Sequence, residues 1–238
     1  RQFETQIGPR DTRGAKDGDL VEIDLSPRTR SGLPQGTVAE IVGSLSSERA
    51  ISTIALHAHS IPHVFPKSVL DEAEGAGPPG MVDREDWRDL ALVTIDPRDA
   101  KDHDDAVHAA RDDDPANPDG FVVTVAIADV SWYVRPATRL DAEAKLRGNS
   151  VYFPDRVVPM LPERISNDLC SLREDVDRPA LAVQMVFGHD GEKRRHRFHR
   201  IMMRSHAKIA YEDAQAAIDG VEDRVSPDIA NGVLRPLW

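Results

Sequence analysis

The sequence predicts an α+β fold: a mixed α/β unit over residues 86–238, preceded by a partial OB-fold-like β segment over 1–48 and joined to it by 49–85. Three observations carry this. Residues 121–128 form a continuous apolar run, the mark of a central strand covered on both faces. Residues 180–187 and 197–203 are two strand-like runs around the turn His189-Asp190-Gly191, and so a hairpin. Between and after them lie stretches with helical periodicity and recognisable caps.

Taken in order, residues 20–25 alternate apolar with acidic, as a half-buried strand should, and Ser26-Pro27 ends the run. A Gly-Leu-Pro-Gln-Gly turn precedes a second strand at 37–43. Two or three strands cannot close a barrel, so this segment reads as part of one. Residues 49–59 suggest a short helix, and Ile61-Pro62 and Phe65-Pro66 force extended backbone. Ser68-Val69-Leu70-Asp71 resembles a capping box, and residues 75–80 form a Gly/Pro link. A strand at 90–95 follows, then an acidic loop, and then the run Ala106-Val107-His108-Ala109-Ala110. The tract 112–120 holds contiguous aspartates with Asp-Pro, Asn-Pro and Asp-Gly turn signals, and reads as a surface loop between strands. Asp129 ends the central strand; a helix at 139–147 has Thr138 as N-cap and Gly148 just past its end. After the hairpin, Ser205 would cap a helix carrying Ala210, Ala214, Ala217 and Ile218 at helical spacing, with Gly220 as its stop. Pro227 starts a last helix.

With 40% hydrophobic residues in 238, the chain can supply a sizeable core and is not of the disordered class. No apolar run approaches a membrane span, and no secretory signal is visible. Arg1 opens the chain without a methionine, which suggests a fragment. The single cysteine, Cys170, excludes an internal disulfide and a cysteine-based zinc site, and points to a cytoplasmic setting. A net charge of −11 speaks against a simple nucleic-acid binder. However, Lys193, Arg194, Arg195, Arg197, Arg200, Arg204 and Lys208 are concentrated in one tract that could line a phosphate channel or form a solvated strand face.

The densest chemical signal is the stretch 94–106, where Asp96, Asp99, Asp102, Asp104 and Asp105 fall within ten residues directly after a buried-type strand. A strand would hold Asp96 at its end, and the loop would fold Asp102, Asp104 and Asp105 back towards it. Converging carboxylates stay ionised together only with a cation between them. Hard oxygen ligands select Mg²⁺ or Mn²⁺. An EF-hand is a poor match, because Asp102-x-Asp104 lacks that loop's glycine and distal glutamate. His103 and His108 flank the acids, but metal-activated water makes a histidine base unnecessary. His57, His59 and His63 read as surface histidines.

The same stretch, Thr94-Ile95-Asp96 through Asp102-His103-Asp104-Asp105-Ala106, resembles the catalytic signature of the ribonuclease II / ribonuclease R (RNB) exoribonuclease family, and is closer in wording to ribonuclease R. Further resemblances follow in family order at 125–134, 150–154, 159–163 and 166–172. Residues 1–48 resemble more loosely the end of a cold-shock domain. The resemblance implies a processive, hydrolytic 3′→5′ exoribonuclease that releases nucleoside 5′-monophosphates from single-stranded RNA held at its 3′ end. It implies Asp96, Asp102, Asp104 and Asp105 as the metal-site acids, not Asp99, with Asp104→Asn the substitution most damaging to catalysis. Two-metal hydrolysis would explain four acids. Tyr152 matches a tyrosine that stacks near the terminal nucleotide, where an aromatic contributes ~1–3 kcal/mol per base. Arg194, Arg195 and Arg197 are the expected RNA-backbone contacts. The family pattern continues past Trp238 with an arginine-bearing motif, base-clamping residues and an S1 domain. An incomplete module that binds RNA or metal, or a second chain supplying the remainder, is the alternative expectation. No membrane or small-molecule cofactor is expected.

Overall fold

The computed structural model describes residues 4–26, 33–44, 47, 49–221 and 224–238. The Ser26-Pro27 strand end and the first glycine of the following turn lie partly outside them. Two compact units form. The first gathers residues 1–64 with 146–160, and the second gathers 65–145 with 161–238.

In the first unit, β1 (Gln6–Ile7), β2 (Asp19–Leu25) and β3 (Gln35–Ser44) make a three-stranded sheet of order β1-β3-β2. Helix α1 (Ala50–Ala58) lies against β3 and buries Leu56. A segment distant in sequence joins this unit. Strands β8 (Val151–Tyr152) and β9 (Val157–Val158) pair antiparallel, and Asp155 accepts a 2.7 Å hydrogen bond from Ser52 Oγ. A division into consecutive ranges could not show this, because 81 residues, 65–145, separate the two parts.

The second unit is built on a seven-stranded mixed sheet of order β12-β5-β6-β7-β10-β11-β4. Its strands are β4 (Glu85–Asp86), β5 (Val93–Asp96), β6 (Asp105–Arg111), β7 (Phe121–Ala128), β10 (Asp177–Phe187), β11 (Lys193–Arg204) and β12 (Ala207–Ala210). Side chains alternate between faces, so cross-strand partners share one. Ala106, Ala126, Ala128, Ala180, Ala182 and Ile201 fall on one face and enter the main core. There they meet α2 (Lys67–Glu74), the short α3 (Val130–Tyr133), α4 (Arg139–Arg147) and the π-helical turn Arg164–Leu169 through Val69, Tyr133, Leu140 and Ile165. Small alanines on the strands let these helices approach closely. A second core forms where α5 (Tyr211–Ile218) and the short helical pieces α6 (Pro227–Ile229), Ala230–Leu234 and α7 (Arg235–Leu237) cover β5 and β6, burying Val93, Ile209, Val233 and Leu234.

Several local expectations hold. Thr138 Oγ1 accepts from Asp141 N at the start of α4, and Gly148 follows it at φ 77°. Gly220 follows α5 at φ 84°, a conformation that costs glycine nothing. Two expectations are corrected. Ser68 is not a cap, because α2 starts at Lys67 with Pro66 before it, whose fixed φ is preorganised for a helix start. Ser205 does not open a helix either. Residues 207–210 pair as a strand parallel to β5, and the helix begins only at Tyr211. Pairing with a buried strand outweighs the weak helical periodicity of the alanines.

Candidate functional site

Asp96 is the last residue of β5 and pairs with Ala210 of β12, while β6 pairs with the start of β5 at Val93. Asp105 is the first residue of β6 and pairs with Ile127. The loop between them turns at Pro97, whose carbonyl accepts from Ala100 N, and is pinned at many points. Arg98 reaches Asp213 at 2.9 Å, and Lys208 Nζ donates to Ala100 O. Ser171 Oγ donates to Lys101 O, and His103 N donates to Ser171 Oγ. Leu172 N donates to His103 O, and Ala128 N donates to Asp104 O. The acidic loop is therefore fixed by three separate parts of the chain, unlike a solvated charge run.

These anchors make the four expected acids electrostatic neighbours. Burial raises the Asp104 carboxyl above its ordinary range, and Asp102, Asp105 and Asp96 add to the rise in that order. Asp105 is likewise raised by burial and then by Asp96. Both carboxyls keep surface accessible to solvent, so a ligand could reach them. Among the described residues, no three His, Cys, Asp or Glu side chains already surround a single point as a metal site would require. The acids influence one another without forming a finished coordination sphere. Asp99 lies exposed in the turn. The donor chemistry, carboxylate oxygens that mutually penalise their charged forms, fits a hard divalent cation.

The sequence reading passed over one partner. His103 does more than flank the acids: it is buried, and its Nδ1 lies 2.7 Å from Asp96 Oδ2. The signal was its place between acids, but nothing in the sequence says which way the ring turns. His108 is half-buried, and burial followed by the His206 charge lowers its pKa. Cys170 is buried, and burial pushes its thiol up to about 12, so it is an inert core residue.

The expected RNA contacts are dispersed. Arg194, Arg195 and Arg197 all sit on the exposed outer part of β11. Arg195 and Arg197 share one face, and Arg194 falls at a register shift, without a cross-strand partner in the ladder. Arg194 is bonded to Asp190 at 2.6 Å, Arg195 lies 3.7 Å from Asp114, and Glu85, whose pKa is lowered chiefly by the His199 hydrogen bond, also feels the charge of Arg197. Register places Asp105, Ile127, Leu181 and Arg200 in one row across the sheet. Arg197 is three residues farther along β11, ~10 Å at strand rise, and the arginines at 194 and 195 are farther still. Arg200 is thus the basic residue of the row that holds Asp105, although it also lies 3.7 Å from Asp129. Tyr152 belongs to the first unit, on β8, with 67% of its surface exposed.

A small β unit followed by a mixed sheet with a pinned acidic corner defines the class. The cold shock domain model matches residues 2–66 and the RNB domain model matches 84–234. The chain therefore belongs to the RNB family. It is 39% identical to ribonuclease R of Escherichia coli over 226 residues, which is 93% of this chain and 27% of that protein. It is 42% identical to ribonuclease R of Acidithiobacillus ferrooxidans over 215 residues, covering 89% and 48%. Against the first of these it spans about a quarter of the length. Among solved structures, Mycoplasma genitalium RNase R in complex with double-stranded RNA superposes with a TM-score of 0.88 at 24% identity, over 98% of this chain and 42% of that one. The yeast pseudonuclease Ssd1 shares the fold with a TM-score of 0.66 at 14% identity, over 93% and 29%.

Proposed function

We propose that this chain is the cold-shock and leading RNB portion of a processive hydrolytic exoribonuclease that works 3′→5′ on single-stranded RNA and releases nucleoside 5′-monophosphates. Mg²⁺ is the proposed cofactor, with Mn²⁺ able to replace it. The observation that carries the reading is the pinned corner where Asp102, Asp105 and Asp96 all act on Asp104. A divalent cation held by Asp96, Asp102, Asp104 and Asp105 would supply neutralising charge and an acidified bound water. The chain's own residues prepare that site. β5 and β6 fix the two outer acids, and the bonds to Ser171, Leu172 and Ala128 hold the backbone of the inner ones. Asp104 is the proposed catalytic member, since its charged form is opposed by the other three. Arg194, Arg195 and Arg197 would contact RNA phosphates along β11, and Tyr152 would stack on a base. The cytoplasmic location belongs to the same proposal.

Among the described residues no three His, Cys, Asp or Glu side chains surround one point, which favours a second reading, an RNB segment that binds RNA or metal without cutting, or that needs a second chain to complete it. Incubation with 3′-labelled single-stranded RNA and Mg²⁺, with and without EDTA, separates the two. Mononucleotide release that EDTA stops supports the nuclease. RNA retained on a gel with no release supports the binding module.

A further inference from the structure

We propose that His103 is a positioning residue for Asp96, holding one carboxylate oxygen so that the other is presented to the divalent cation; this rests on the metal-site reading above. The bond is short, 2.7 Å from Nδ1 to Oδ2, and its side chains are only 4% and 14% exposed. A carboxylate oxygen accepts, so Nδ1 carries the proton and donates.

Both ends of the bond are rigid. Asp96 closes β5 and pairs with Ala210 of β12. His103 is fixed through its backbone, its N–H donating to Ser171 Oγ and its C=O accepting from Leu172 N at 2.8 Å. Ser171 Oγ also donates to Lys101 O at 2.9 Å, so a single hydroxyl clamps the loop on both sides of Asp102. Ser171 and Leu172 are themselves fully buried. The backbone beneath the ring is thus held in place, and the ring itself is buried.

The residue type suits the task. A carboxylate that must bind a cation loses orientation if its two oxygens rotate freely, and a hydrogen bond to one of them removes that freedom. Arginine or lysine would do this too, but with a fixed positive charge set against the incoming cation. An imidazole N–H supplies direction without that obligatory charge.

The test uses the whole chain without RNA and titrates Mn²⁺ alone, read by electron paramagnetic resonance. His103→Phe keeps a flat ring and removes the donor; His103→Asn keeps an N–H near the place of Nδ1. The Phe variant should bind Mn²⁺ about 10–100-fold more weakly, and the Asn variant should stay within about threefold of the parent. A Phe variant that binds as tightly as the parent, or an Asn variant as weak as Phe, overturns the assignment. If the parent takes up no Mn²⁺ at all, the metal-site reading falls and this assignment falls with it. Should the Phe variant not fold, ¹⁵N-histidine-labelled parent protein decides. The His103 Nδ1–H resonance should be shielded from exchange and broadened by the first equivalent of Mn²⁺, and a resonance untouched by Mn²⁺ overturns the proposal.

Discussion

Replacing Arg84 with methionine leaves Asp129 buried without its main partner. Arg84 Nη2 lies 2.6 Å from Asp129 Oδ2, and the two side chains are 1% and 0% exposed. Ser131 Oγ donates to the other oxygen at 2.6 Å, and Arg200 stands 3.7 Å away. Burial alone would raise the Asp129 pKa, but Ser131, Arg84 and Arg200 together bring it below the ordinary value. A lowered carboxyl pKa stabilises the fold at pH above the unfolded value, and that contribution is lost as pH falls through the folded value. Breaking a buried pair from one side costs ~3–5 kcal/mol. Arg200 remains nearby, so the lower end, ~3 kcal/mol, is expected for Arg84→Met at pH 7. For a chain of this size that corresponds to a fall of ~6–12 °C in melting temperature, at ~2–4 °C per kcal/mol. Urea unfolding followed by tryptophan fluorescence suits the measurement, because Trp132 sits 5.7 Å from the Arg84 guanidinium. Arg84→Met combined with Asp129→Leu should recover to within ~1 kcal/mol of the parent, since an apolar pair carries no desolvation cost. A single variant that loses less than ~1 kcal/mol, or a double variant as unstable as the single, would refute the assignment of this pair as a buried anchor. The anchor matters to the site because Asp129 follows Ala128, whose N–H holds the Asp104 carbonyl.

Three further outcomes are expected. Asp104→Asn should abolish RNA hydrolysis yet raise the melting temperature of the metal-free chain at pH 7. Its raised pKa means that the folded state resists the charged form at neutral pH and is relieved as pH falls, so the gain should shrink towards pH 4; scanning fluorimetry showing no gain at pH 7 would contradict this. Ser171→Ala leaves Lys101 O and His103 N without their partner and should cost ~1–3 kcal/mol in urea unfolding, with a loss below ~0.5 kcal/mol counting against the clamp. Arg197→Ala should reduce the slope of log affinity for single-stranded RNA against log salt by about 0.7, the share of one phosphate contact; an unchanged slope removes Arg197 from the RNA path.

The strand read at 90–95 and found at 93–96, the apolar run 106–110 inside the strand 105–111, the strand 121–128, the hairpin, the caps at Thr138 and Gly148 and the dense acidic run depended on residue types and spacings short enough to read along the chain. Local chemistry sets these features, so one sequence suffices to find them. Other features were decided by the folded protein. Residues 207–210 became a strand because β5 offered an open ladder edge, which outweighed a weak helical pattern. Residues 146–160 joined the first unit through bonds such as Ser52 to Asp155, 103 residues apart in sequence. The arginines of β11 looked equivalent as a tract. Strand alternation and register divided them by face and distance, and put Arg200 in the row of Asp105. His103 read as one more polar residue between acids until the buried Ser171 and Leu172 turned it inwards onto Asp96. The sequence determines which groups can ionise, donate or pack. Only tertiary structure decides which of them share a desolvated space, because that depends on backbone segments far apart in the chain meeting at fixed register.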